Sequence, residues 1–368
     1  MTQEVCGAGL RLALAGGGTG GHLVPGLHLI EDLAQRGGVL EDLVWFTGGR
    51  PVEQRVLAGL ADLASPAPVR VVPLRLESRA GGAPGKLRQA MRLGPSAAHA
   101  RRVLRDHRSQ VLLGLGGFVC GPAVVGAAAA GVPRALLEIN AHAGQATRLL
   151  GRISQRVLHA WPATMPGTPG QKHVLTGAPL GPRFRPPTRA ERTAARRELG
   201  LDPDRPMLLV LGGSQGAGAL NDYVLEHGPK LVEQGCSIVL QTGQGKLPAQ
   251  GPAGDHWLLT EYLPDVPTAL YAASVALTRG GASTLAEVDA VALPAWVVPY
   301  PHHADRHQES NARQLGAGVQ IVAEAELDAS LLKRLADALQ SKSEQRDSPA
   351  GQQRASELVW SRLAQLAR

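Results

Sequence analysis

The sequence predicts an α/β protein of two Rossmann-like domains with parallel sheets, and three features predict it. Apolar strand-like runs alternate with helical patterns along the whole chain, as a parallel sheet covered by helices requires. At 368 residues the chain exceeds what one hydrophobic core usually serves, so two domains are expected. A turn also repeats: LALAGGGTGGH, Leu12 to His22, returns as LLVLGGSQGAG from Leu208, and both times an apolar strand enters Gly-Gly-Ser/Thr-x-Gly and then a helix. One copy in each half implies two similar domains facing one another.

The expected strands of the first half are Leu10 to Ala15, Leu43 to Phe46, Val69 to Val72, Val111 to Leu115 and Ala135 to Leu137. Those of the second half are Met207 to Leu211, Ser237 to Gln241, Trp257 to Leu259, Val275 to Thr278 and Ala295 to Pro299. Between them, Thr188 to Arg205 is charged and bounded by proline, and its ERTAARRELG reads as a short surface helix near a linker. Two further glycine turns, LLGLGGFVCGPA from Leu112 and ALTRGGASTLAE from Ala276, repeat the strand-turn-helix theme. Tight packing of strand on helix explains one or two such turns; four point to the carboxyl ends of the strands, where doubly wound sheets bind ligands.

Hydrophobic residues make up 44% and charged residues 19% of the chain, an ordinary globular balance, while aromatics are only 3%, so Leu, Val and Ala must fill the core. Cys6, Cys120 and Cys236 lie far apart, which argues against a disulfide framework or a zinc site and fits a reducing cytoplasm. The N-terminus lacks the charge order of a signal peptide. No apolar run approaches the roughly 18 to 20 residues a spanning helix needs, so the chain is expected to be soluble or at most to sit on a membrane. The net charge of +7 is concentrated. Arg70 to Arg108 holds ten Lys or Arg against Glu77 and Asp106, a local balance of +8, with Leu74, Leu76, Leu87, Met91, Leu93, Val103 and Leu104 interleaved. Such a segment suits anionic headgroups or phosphates, or is a solvated helix face. It lacks the stacking aromatics of a nucleic-acid surface.

A strand–glycine loop–helix turn brings bare N–H groups and a helix N-terminus to one point, which suits a phosphate or diphosphate. Gly16 to Gly21 formally match G-x-G-x-x-G, but a dinucleotide site also wants an acid at the end of the second strand. That strand ends in Thr47-Gly48-Gly49, with Glu53 well past it. No Gly-Lys-Ser/Thr follows either loop, which excludes a P-loop. His22 falls in the first helical turn after the loop, where an imidazole either takes a proton from a substrate hydroxyl or serves as a structural hydrogen-bonder.

Five segments carry a resemblance: GGTGGHLVPGL (Gly17 to Leu27), GGFVCGPA (Gly116 to Ala123), GGSQGA (Gly212 to Ala217), TRGGASTLAE (Thr278 to Glu287) and DRHQESNA (Asp305 to Ala312). In order and spacing, over nearly the whole chain, they resemble the MurG family of bacterial peptidoglycan N-acetylglucosaminyltransferases. The resemblance implies the GT-B fold, its two parallel-sheet domains facing across a cleft. It implies an inverting, metal-independent hexosyltransferase without cofactor, moving GlcNAc from UDP-GlcNAc to the MurNAc 4-hydroxyl of undecaprenyl-diphosphate-linked muramoyl-pentapeptide (lipid I to lipid II). The expected location is peripheral, at the cytoplasmic face of the plasma membrane. UDP-GlcNAc, lipid I and the anionic membrane surface are the implied partners, with other cell-wall synthesis proteins admitted and nucleic acid not. Residues 1–181 with a returning C-terminal helix of about 350–368 would take the acceptor, and 182–349 the nucleotide sugar.

By the same resemblance, His22 is the catalytic base and Gly17, Gly18, Gly116 and Gly117 face the acceptor diphosphate. Thr19, Gly20, Gly21 and Asn140 line the sugar, and Ser214 adjoins the UDP diphosphate. Leu263 holds the uracil backbone contact, Ala282, Ser283, Thr284, Leu285 and Ala286 form the loop and helix start around the nucleotide, Glu287 binds the ribose and Gln308 reads the GlcNAc hydroxyls. Asp202-Pro203-Asp204 precedes a strand instead of following one and reads as turn chemistry. His302, His303, Asp305 and His307 match no standard zinc spacing. Two departures stand out. The family's His-Glu-Gln-Asn is Leu137-Glu138-Ile139-Asn140, and the arginine of its Gly-Asn-Pro-Val-Arg is replaced by Gly181, with Arg183 able to substitute only by a shifted path. They leave open a related GT-B transferase with another lipid or glycan acceptor, or a binding-only paralogue of low activity.

Overall fold

The computed structural model describes residues 9–64, 66–74, 82–165, 172–213, 215–252, 254–302, 306–316, 318–341 and 354–368, with the backbone alone for 82–91. The chain divides into two compact units, Met1–Pro182 with Gly351–Arg368, and Arg183–Ala350.

In the first unit the strands are β1 Leu10–Gly16, β2 Leu40–Thr47, β3 Val69–Pro73, β4 Val111–Gly116, β5 Arg134–Glu138, β6 Arg156–His159 and β7 His173–Leu175. They form one seven-stranded sheet in the order β3-β2-β1-β4-β5-β6-β7, and every pairing is parallel. Buried runs such as Leu12, Ala13, Leu14 and Ala15 in β1 and Leu43 to Phe46 in β2 are what a sheet covered on both faces demands. The second unit holds β8 Met207–Leu211, β9 Ser237–Gln241, β10 Trp257–Thr260, β11 Val275–Thr278, β12 Ala295–Val297 and β13 Val319–Ile321. Their order, β10-β9-β8-β11-β12-β13, is the same 3-2-1-4-5-6 winding, again all parallel.

Both sheets therefore reverse direction once, between β1 and β4 and between β8 and β11. The four glycine turns of the sequence leave the carboxyl ends of these four strands, at the two switch points where such sheets take ligands. Each expected strand is present. The three not anticipated, β6, β7 and β13, are short and lie toward or at sheet edges; Leu175 and Ile321 are exposed.

The helix Arg189–Glu198 is the expected charged surface helix. Thr188 caps it by accepting the Glu191 N–H, and Glu191, bound by Arg185 and Thr188, has its carboxyl pushed down to about 2, chiefly by the Arg185 guanidinium. The Asp202-Pro203-Asp204 stretch is a turn in which Asp202 accepts the Asp204 N–H at 2.9 Å. The last helix, Ala355–Ala367, packs on the first unit: Trp360 donates to the Leu29 carbonyl, Ser356 to that of Leu180, and Val359 and Leu363 are fully buried.

Candidate functional site

At the first switch point, β1 ends at Gly16 opposite Gly116 of β4, and His22 closes a single turn of 3-10 helix, Gly20–His22. The imidazole lies directly against both loops. A Cβ on Gly116 would come within 2.7 Å of the His22 ring, and one on Gly117 within 2.2 Å of the Gly17 carbonyl and 3.2 Å of His22 Nδ1. Gly116 and Gly117 also sit at φ +111° and +77°, where side chains are disfavoured. The glycines thus let an imidazole pack between two backbones.

The ring is anchored through Nδ1, 3.1 Å from the Gly17 carbonyl and 3.3 Å from Thr19 Oγ1. Its pKa is lowered from the ordinary value, chiefly by burial, with the Gly17 carbonyl and the Glu138 charge pulling the other way. A histidine neutral at physiological pH is equipped to accept a proton.

Two residues that sequence reasoning gave no role shape this loop. Cys120 Sγ receives the Gly116 N–H at 3.0 Å and reaches the Ala15 carbonyl at 3.0 Å; burial pushes the thiol up to about 12, so it stays protonated and donates. Glu53 takes the Gly18 N–H at 2.5 Å, so this donor is already engaged, and a buried carboxylate stands behind a loop expected to face a diphosphate. The only hint in the sequence was an acid three residues beyond Arg50, the spacing of a helix-start carboxylate.

Asn140 follows β5 and is held by Glu138, whose Oε1 accepts the Asn140 backbone and side-chain N–H groups at 3.1 and 2.8 Å. Glu138 Oε2 accepts from Gly144 N and Thr147 Oγ1. Leu137 and Ile139, the two departures from the family motif, are buried apolar side chains. At the other departure, Glu31 and His28 occupy the space beside Gly181, where a Cβ would lie 2.1 Å from Glu31 Oε2. Arg183, two residues on, is engaged elsewhere. Its guanidinium grips Asp265 at 3.0 and 2.9 Å and Thr268 at 2.8 Å within the second unit.

At the second switch point the Gly212–Ala217 turn folds back on the end of β9: a Cβ on Gly216 would sit 1.8 Å from the Thr242 carbonyl, and Gln241 donates to Gly213 O. Ser214 lies outside the described residues, as do His303 and Asp305 of the histidine-rich loop. The helix Ala282–Ala290 starts after β11 and carries Ala282, Ser283 and Thr284, half-buried, then Leu285, Ala286 and Glu287, buried. Gln308 Oε1 accepts the N–H groups of Gly280 and Tyr300 at 3.2 and 2.9 Å, and Asn311 donates to the Gly280 carbonyl. Gln308 is thereby tied to the turn that opens the 282–290 helix. Leu263, buried, follows β10 on the other side of the switch point. The described nucleotide residues of the sequence reading thus follow the carboxyl ends of strands in one sheet, and His22, Thr19 and the Gly17 and Gly116–Gly117 loops follow those of the other.

Two parallel sheets of the same winding, each with glycine turns at its switch point, are the architecture of the GT-B fold. Residues 12–159 match the glycosyltransferase family 28 N-terminal domain and residues 207–362 the family 28 C-terminal domain; the chain belongs to glycosyltransferase family 28. A relative from Sorangium cellulosum, 38% identical over 88% of this chain and 78% of its own length, is named UDP-N-acetylglucosamine--N-acetylmuramyl-(pentapeptide) pyrophosphoryl-undecaprenol N-acetylglucosamine transferase. One of the same name from an Exiguobacterium species is 33% identical over 94% and 95% of the two chains. The crystal structure of Acinetobacter baumannii MurG shares the fold, with a TM-score of 0.67, 24% identity and coverage of 97% and 99%.

Proposed function

We propose that this chain transfers GlcNAc from UDP-GlcNAc to the MurNAc 4-hydroxyl of undecaprenyl-diphosphate-linked muramoyl-pentapeptide. The observation that carries the reading is the identity of 38% over 88% of the chain to a relative named for that reaction; the arrangement of His22 supports it. Residues 183–350 hold the nucleotide sugar: Glu287 takes the ribose, Gln308 the GlcNAc hydroxyls, the helix start at 282–286 surrounds the nucleotide, and the 212–217 turn with the helix Gly218–Glu233 takes the diphosphate, whose charge a helix N-terminus favours. His22 Nε2 takes the proton of the incoming 4-hydroxyl as its oxygen attacks the anomeric carbon, UDP departs from the opposite face and the configuration inverts. The turn and helix dipole stabilise the leaving diphosphate, so turnover is expected without a metal ion.

The acceptor's lipid chain stays in the bilayer, so the acceptor-binding unit works at the membrane surface on its cytoplasmic face. Among the described residues no helix is long and apolar enough to cross a membrane. The helix Gly82–Asp106 exposes Arg92, Leu93, Arg101, Arg102 and Arg105, a basic and partly apolar surface suited to anionic headgroups.

UDP release, followed with and without a lipid I analogue, tests the reading. Release that depends on the acceptor is expected. UDP-GlcNAc binding without acceptor-dependent release contradicts the reading and leaves a binding-only paralogue or a transferase with another acceptor.

A further inference from the structure

To act as a base through Nε2, His22 needs its proton on Nδ1. The Gly17 carbonyl lies 3.1 Å from Nδ1, and a carbonyl oxygen only accepts, so Nδ1 carries the hydrogen and Nε2 the lone pair. That carbonyl must itself be held, because glycine backbone has the widest conformational choice of any residue.

The Gly17 carbonyl and the Gly18 N–H belong to one planar peptide unit and point in opposite directions. Glu53 grips the second of them. Glu53 is 1% exposed; Oε1 accepts the Gly18 N–H at 2.5 Å and Oε2 the Arg50 N–H at 2.9 Å. The Arg50 guanidinium donates to the next carbonyl, that of Gly18, at 3.0 Å. Contact is close enough that a Cβ on Gly17 would meet Glu53 Oε1 at 2.6 Å. Burying a carboxylate is costly unless hydrogen bonds compensate it, and here those bonds hold the peptide on which the imidazole rests.

We propose that Glu53 is the positioning residue of His22: by holding the Gly18 N–H it sets the Gly17–Gly18 peptide plane, and the Gly17 carbonyl then dictates the Nδ1–H tautomer and leaves Nε2 as proton acceptor. The proposal deepens the reading of His22 as base and rests on it.

Nitrogen-15 NMR of histidine-labelled full-length protein reports the tautomer directly and, read beside kinetics, separates the two ideas. The wild type is expected to show His22 as the Nδ1–H form at neutral pH. In Glu53→Gln an amide NH₂ is turned against one of the two N–H donors. The tautomer is expected to shift toward Nε2–H, and kcat to fall about ten- to a hundredfold with the KM for UDP-GlcNAc within about twofold, the signature of misplacement in the transition state. Glu53→Asp keeps the charge but withdraws it by one methylene, so it decides the matter if the glutamine variant does not fold. An unchanged tautomer in folded Glu53→Asp, or in both variants where both fold, overturns the proposal, whatever the activity. A shifted tautomer with undiminished kcat upholds Glu53 as the orienting group and removes His22 as the base.

Discussion

His22 Nε2 is the atom on which the proposed chemistry turns. Replacing His22 by Ala should lower kcat by roughly 10²- to 10⁴-fold, the usual contribution of a general base, while UDP-GlcNAc affinity measured by calorimetry stays close to wild type. A loss under about threefold would make the ring structural. Because burial depresses the His22 pKa below its ordinary 6.5, the acid limb of kcat/KM, which reports the free enzyme, should fall below that value, not at it. The stability consequence has a definite sign. Between 6.5 and the lower folded value the unfolded chain binds the proton and the folded chain does not, so stability declines as pH falls through that window and levels off beneath it. Glu287→Ala should weaken UDP binding by about 1.5 to 3 kcal/mol, the range for hydrogen bonds to a charged group; unchanged affinity in a folded variant would take Glu287 out of the site. At this scale the sequence was informative where function is local: a histidine directly after a glycine run is visible by eye. Glu53 and Cys120 were not, because their partners Gly18 and Ala15 lie 35 and 105 residues away and only the sheet order brings them together.

The helix Gly82–Asp106 carries the membrane proposal. Charge reversal at Arg92, Arg101 and Arg102 should abolish co-sedimentation with anionic vesicles at low salt, since each basic residue near such a surface contributes about 1 kcal/mol and is screened by added salt. UDP-GlcNAc affinity should not change. Equal co-sedimentation of variant and wild type would make this run a solvated face. In the wild type at high salt, Leu93, 43% exposed, is expected to leave a remainder of binding. The long buried strands were legible because continuous Leu-Val-Ala runs such as Met207 to Leu211 have no other reading between glycine turns. The missed strands had too little to read: His173–Leu175 and Val319–Ile321 are three residues each, and an exposed edge needs no apolar run. The charged helix after Thr188 was readable through its dense charge between prolines.

Two sheets wound alike from one chain explain why the sequence repeats its glycine turns: each pair marks a switch point, and function is expected at both. The C-terminal helix Ala355–Ala367 completes the first unit, so Trp360→Ala should destabilise it by roughly 3 to 5 kcal/mol, the cost of emptying a large buried site, read as a lower midpoint in denaturant. No change would mean that the helix contributes little to that core. The repeat made the two-sheet architecture legible, whereas the fate of the family arginine was not, since neither the Glu31 carboxylate beside Gly181 nor the Arg183–Asp265 pair leaves a mark in local pattern. The measurement that bears most directly on the whole is transfer of labelled GlcNAc from the UDP sugar onto muramoyl-pentapeptide linked to undecaprenyl diphosphate, in the presence of EDTA, with the product's linkage determined. A β-linked GlcNAc on the MurNAc 4-hydroxyl, formed at undiminished rate without added metal, is the predicted result. Tight UDP-GlcNAc binding with no label on this acceptor, or transfer only to a different lipid or glycan, would contradict it.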